Sequence, residues 1–164
     1  MTLPGYRFVS ALGLVGCLVA LGFALYLQHV VGLEPCPLCI LQRVAVFAAM
    51  GVLIAAIAHN PEATGQRVYA ALGLLASLFG VGVAGRHVWL QHIPAEQVPA
   101  CGPGLNYMLD VFPLRDVVAM VLRGSGECAV VDWTFLGFSL AELTAVVFVG
   151  LVALFSFQIF RRDA

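Results

Sequence analysis

Four stretches of this chain stay apolar for about as long as a membrane is thick. They run over residues 8–27, 40–58, 68–90 and 140–160, each close to the ~20 residues that cross hydrocarbon as a helix. Inside lipid every backbone N–H and C=O needs an internal partner, which leaves such a run little choice but helix. The chain is 62% hydrophobic and 10% charged and holds no lysine, against about 25% charged residues in a soluble domain. It lacks the polar coat of a water-soluble globule. The expected fold is an all-α membrane protein, a four-transmembrane-helix bundle forming a single integral domain over 1–164. The first run exceeds a signal-peptide core and no soluble domain follows it, so it is read as a span.

Polar joints separate the spans. Residues 28–39 form a first loop, 59–67 a tight turn with Asn60-Pro61 and Gly65 as breakers, and 91–139 a long segment rich in Pro, Gly and charge. In that segment Leu114, Val117, Val118, Val121 and Leu122 recur at helical spacing. The stripe is too short to span, so it predicts a short interfacial helix in the second outer loop, or one packed on the end of the bundle. Ser139-Leu140-Ala141-Glu142 fits a capping box that starts the fourth span and keeps Glu142 at the interface. Gly80, Gly82 and Gly85 offer close helix approach on the third span. Trp89, Tyr107 and Trp133 suit an interfacial aromatic belt, and Cys17, in mid-span, reads as a small buried hydrophobe.

Arginines near the span ends orient the chain. Arg7, Arg67, Arg161 and Arg162 fall on one side. Arg115 and Arg123 fall on the other, opposed by Glu34, Glu96, Asp110, Asp116, Glu127 and Asp132. The positive-inside rule puts both termini and the 59–67 turn in the cytoplasm, with loops 28–39 and 91–139 outside. Cys36, Cys39, Cys101 and Cys128 then face the side where disulfides persist. No basic cluster or phosphate-cradling glycine loop points to nucleic acid.

Chemistry enters at Cys36-Pro37-Leu38-Cys39. Pro37 suits the first helical position, because its missing N–H is an orphan there and its φ is already helical. Cys36 then lies near the N-cap and Cys39 in the first turn, where the positive end of the helix dipole favours a thiolate. Cys-X-X-Cys thiols so placed have lowered pKa values and attack or accept electrons readily. Arg43 follows about one turn and ~6 Å further along the axis. These residues predict redox chemistry at the edge of a membrane. Cys101, within Pro99-Ala100-Cys101-Gly102-Pro103-Gly104, belongs to a segment that cannot be helical and should be accessible. Glu127 should disfavour a thiolate at its neighbour Cys128 by like-charge interaction. A structural zinc site is the bland alternative, but all-cysteine zinc sites usually supply their second pair as another closely spaced Cys-X-X-Cys. No metal is expected, and Ile40 excludes haem attachment, which needs histidine there.

On these residues the chain resembles the bacterial disulfide-bond-formation protein B family, the membrane quinone reductases known as DsbB. The resemblance covers nearly the whole length. Beyond Cys36-Pro37-Leu38-Cys39, Arg43, Cys101 and Cys128, it rests on Phe112-Pro113-Leu114, Ser125-Gly126-Glu127-Cys128-Ala129 and Trp133-Thr134-Phe135-Leu136-Gly137. It implies a bacterial inner-membrane enzyme that reoxidises a DsbA-like periplasmic thioredoxin-fold dithiol oxidase. Electrons would pass to ubiquinone or menaquinone, and so to the respiratory chain. Carried over by residue, Cys101 would receive the partner's thiolate and form the mixed disulfide, and Cys128 would be its resolving partner, exchanging with Cys36. Cys39 would face the quinone beside Arg43, and His87 would match a histidine near the quinone on the third span. The rival readings are a non-catalytic four-span scaffold with structural disulfides and a vitamin K epoxide reductase-like enzyme. A Cys-X-X-Cys bridge closes too short a loop to make a useful staple, and in the second rival the motif is expected on a later span.

Overall fold

The computed structural model describes residues 5–100 and 105–161. Helix α1 (Tyr6–Tyr26) continues through a π-helical turn at Leu27–Val31 and stops at Gly32, whose φ of 83° is the left-handed conformation glycine adopts freely. The helix therefore outruns the apolar stretch and shortens the first loop. Helix α2 (Pro37–His59) has Cys36 at its N-cap and Pro37 at its first position, as the sequence predicts. It ends at Asn60, left-handed at φ 43°, with Pro61 barring continuation. Helix α3 (Ala63–His92) follows, at 30 residues about 45 Å long.

A 3-10 turn (Ala95–Gln97), two short helices α4 (Leu105–Val111) and α5 (Leu114–Arg123), and a second 3-10 turn (Gly126–Ala129) make up the described part of the long segment. A two-stranded hairpin then pairs β1 (Thr134–Phe135) with β2 (Phe138–Ser139), Thr134 opposite Ser139. Its turn residues Leu136 and Gly137 both have positive φ, 52° and 87°, as a two-residue hairpin turn of matching twist requires. Helix α6 (Leu140–Phe160) completes the bundle.

The helices α1, α2, α3 and α6 are long and apolar enough to cross a membrane. Phe8, Val19, Leu75 and Val146 stand exposed on the outside, the reverse of a water-soluble bundle and the correct state for one in lipid. The interior gathers Cys17, Ala49, Leu53, Ala70, Phe148 and Phe155. Two glycines of α3 let α6 come close: a Cβ on Gly73 would lie 2.2 Å from the Phe155 ring, and one on Gly80 2.2 Å from the Phe148 ring. Gly82 and Gly85, expected from the sequence to share this role, have nothing within 4 Å among the described residues. They lie on other faces of a helix that is apolar all round, where composition does not reveal which face packs. Helix α5 divides its stripe: Val117 and Val121 are buried with Met108 and against Leu41, while Leu114, Val118 and Leu122 stay exposed.

The predicted capping box is present. Glu142 N donates to Ser139 Oγ at 3.3 Å and Ser139 N to Glu142 Oε2 at 2.7 Å. Ser139 Oγ also donates to Gln91 Oε1 of α3 at 2.7 Å. Ser139→Ala removes both the cap and this cross-link, and is expected to cost about 1 to 2 kcal/mol. The check is thermal unfolding in detergent, where an unshifted midpoint would contradict the role given to the cap.

Candidate functional site

The start of α2 is built from sulfur. Cys36 Sγ serves as N-cap acceptor for Cys39 N at 3.3 Å, and its thiol donates to Cys39 Sγ at 2.9 Å. One turn further on, Gln42 is buried and reaches α3, its Nε2 donating to His87 Nδ1 at 3.1 Å. With the amide in this orientation Nδ1 accepts, and a neutral ring carries its proton on Nε2. Nε2 in turn lies 3.8 Å from Cys36 Sγ. His87 is only 4% exposed, so it belongs to the interior of the site and not to the membrane surface.

The second 3-10 turn brings in the third sulfur. Cys128 is fully buried beside Cys36, Leu38, Val83 and Leu90. Its turn follows Gly124, where positive φ of 79° and the Leu90 side chain 2.3 Å from a notional Cβ leave room for no other residue without strain. Cys17, Cys36, Cys39 and Cys128 carry free thiols. The single proton of the Cys36 thiol lies between two acceptor sulfurs, Cys128 first in weight and Cys39 next, and both hold it on, pushing the Cys36 pKa well above the usual thiol range. The same bond from Cys36 is the main cause that lowers Cys128 to about 6, aided by hydrogen bonds from the backbone at Ser125 and Leu38 and opposed by burial. Glu127, expected to raise Cys128, does not: its side chain is exposed, where water screens its charge.

Arg43 projects into the same region and is held from α1. Its guanidinium donates to Gln28 Oε1 and, at 3.2 Å, to the Ala24 carbonyl. A cavity of about 850 Å³ opens between α1, α2 and α6. Cys36, Cys39, Gln42, Arg43 and His87 are among its polar lining, and Leu21, Val46, Leu143 and Val147 are among its apolar lining. Over it, Trp133 meets Phe23 edge-on at 5.3 Å between ring centroids and stacks on Phe135.

The fold thus brings together Cys36, Cys39, Cys128 and His87, with Arg43 on the same cavity. Cys101 lies outside the described residues. Sequence reasoning missed Gln42 and Gln28. The available signal was an amide in or beside an apolar span, which is costly unless it has a partner. Chemically, the arrangement offers a thiol in hydrogen-bond contact with two other sulfurs, a histidine in reach of the cluster, and a fixed cation beside an apolar chamber.

The family model for disulfide bond formation protein DsbB matches residues 6–158. A disulfide bond formation protein B of Nitrosococcus oceani is 55% identical over 150 residues, 90% of this chain and 89% of that protein. Its namesake in Acinetobacter baumannii is 54% identical over 157 residues, 95% and 92% of the two chains. That of Stutzerimonas stutzeri is 40% identical over 163 residues, 99% and 100% of the two chains.

Proposed function

This chain belongs to the DsbB family of disulfide bond formation proteins, a multi-pass membrane protein, and from that premise we propose that it is a protein-dithiol:quinone oxidoreductase of the bacterial inner membrane. Both termini face the cytoplasm in this reading, and the cysteines face the periplasm. The reduced dithiol of a DsbA-like thioredoxin-fold oxidase attacks a Cys101–Cys128 disulfide at Cys101. The partner's second thiolate then releases it as a disulfide and leaves Cys101 and Cys128 reduced. Cys128 thiolate next attacks the Cys36 sulfur of a Cys36–Cys39 disulfide, freeing Cys39 as thiolate. Cys101 closes back onto Cys128 and releases Cys36. Two electrons and two protons have then passed from the partner to Cys36 and Cys39.

Ubiquinone or menaquinone, when bound, supplies the acceptor for those two electrons and two protons. The residues present fit such a group. A chamber of about 850 Å³ lies within the range of small-molecule sites, and its apolar walls end at Cys39, Arg43 and His87. The guanidinium offers donors to a ring oxygen, and His87 holds a proton on Nε2 beside the sulfurs. The observation that carries the reading is the position of Cys36, packed in one buried cluster with Cys128 and in hydrogen-bond contact with Cys39, at the lip of an apolar cavity. A scaffold would have no need to gather its thiols around a buried histidine.

The direct test is anaerobic mixing of the purified protein, a quinone and a reduced thioredoxin-fold oxidase, following quinone absorbance. Stoichiometric loss of quinone and of partner thiols is expected, and no quinone loss would refute the reading. Arg43→Gln is expected to raise the KM for quinone about tenfold or more, the worth of one charge-assisted hydrogen bond. Single-turnover exchange with the partner should keep its rate. Unchanged quinone kinetics would remove Arg43 from the site.

A further inference from the structure

With its thiols reduced, the cluster is also a set of soft metal donors. Cys36 Sγ, Cys39 Sγ and His87 Nε2 lie within 4.8 Å of one another. Donors that share one ion at ~2.0–2.3 Å must lie about this close or closer. Sequence spacing conceals this set. The Cys-X-X-Cys motif shows two donors, while the third arrives from α3, 51 positions from Cys36.

Charge and surroundings favour occupancy. Two thiolates neutralise a divalent ion, and a neutral unit is what a buried site at a membrane edge tolerates best. The ligating histidine already has an outer partner: by turning its carbonyl end, the Gln42 amide can hold Nδ1–H and leave the Nε2 lone pair free. Outer partners of this kind orient metal-bound histidines and raise their basicity.

We infer that the reduced protein binds one thiophilic divalent cation of the zinc class through Cys36, Cys39 and His87, and that the bound ion arrests thiol exchange. On binding, the ion displaces the thiol protons of its cysteine ligands to solvent, and no electrons move. An oxidised Cys36–Cys39 pair has no thiolates to offer. The site therefore exists only between reduction by the thiol partner and reoxidation by the acceptor, which makes the cation a brake on the half-finished cycle. The arrest rests on the redox function proposed above, whereas the binding does not.

The test uses the full-length protein in detergent, reduced with a phosphine and titrated with Co²⁺ as a spectroscopic stand-in for Zn²⁺. A sulfur-to-cobalt charge-transfer band saturating at one equivalent is expected, bleached by Zn²⁺ and absent from the same protein when oxidised. Cys39→Ser should abolish the band, and His87→Gln should weaken binding about tenfold or more. Zn²⁺ should stop turnover, and a chelator should restore it. A reduced protein with no band, a band equally strong in the oxidised protein, or unchanged affinity in His87→Gln would each overturn the site. Metal-free turnover measured in parallel separates the two claims. Normal turnover without a band sinks the cation site alone, while a saturable band without turnover sinks the redox reading and leaves the cation site standing.

Discussion

Cys39→Ser is expected to stop continuous thiol oxidation by quinone while leaving one round of exchange with the thiol partner. Cys36 retains its place at the N-cap and its contact with Cys128, so the outer half of the relay persists. What disappears is the disulfide proposed to receive the electrons, together with one of the two sulfurs of this pair on the chamber wall. Loss of a nucleophile of this kind removes most of the catalytic unit's effect, so turnover should fall at least about a thousandfold. Protein isolated with its outer disulfide intact should still oxidise about one equivalent of partner dithiol. Quinone absorbance reports the first quantity and thiol titration of the partner the second. Sustained quinone reduction above about one hundredth of the wild-type rate would place the electron exit elsewhere.

The second large effect belongs to the fold. Gly80→Leu should break the contact between α3 and α6, because even a Cβ there stands 2.2 Å from the Phe148 ring. Phe148 is fully buried, and a close-packed interior has no spare volume into which the ring can turn. Overpacking typically costs about 1–3 kcal/mol and occasionally more. A whole leucine side chain at this point belongs at or above the top of that range. Gly73 faces Phe155 in the same way, seven residues or ~10 Å along the helix. Alanine at both glycines should therefore destabilise nearly additively. Unfolding titrations in mixed detergent micelles provide the measurement, with Gly82→Ala as the control. In an open position, alanine should match or exceed glycine by up to ~1 kcal/mol through helix propensity alone. If Gly80→Ala proved as stable as Gly82→Ala, the packing of α3 on α6 would be wrong.

These two effects mark what can and cannot be read along the chain. The four spans were legible from apolar runs of about 20 residues, and the N-cap at Cys36, Pro37 at the first turn and the Ser139–Glu142 capping box because each depends on residues within about four positions of one another. The glycine faces were not: α3 is apolar all round, and only the partner helix decides that Gly73 and Gly80 are the crowded ones. His87 could be named from a family likeness, but nothing along the chain reveals that Gln42 holds its ring or that Cys36 lies 3.8 Å from Nε2. The expected effect of Glu127 on Cys128 failed for a related reason. Adjacency in sequence gave a charged neighbour, whereas the fold exposed that charge to water and put a thiol donor against the sulfur instead.

The widened turn at Leu27–Val31 has one more consequence. It carries Gln28, whose side-chain oxygen takes one arm of the Arg43 guanidinium while the Ala24 carbonyl just below takes the other. Arg43 is thus a rivet through two helices as well as a charge. A lysine would bring the same sign but a single rounded head, unable to grip both acceptors in a planar fork. What position 43 demands is a shape, and in this molecule the electrostatics come attached to it.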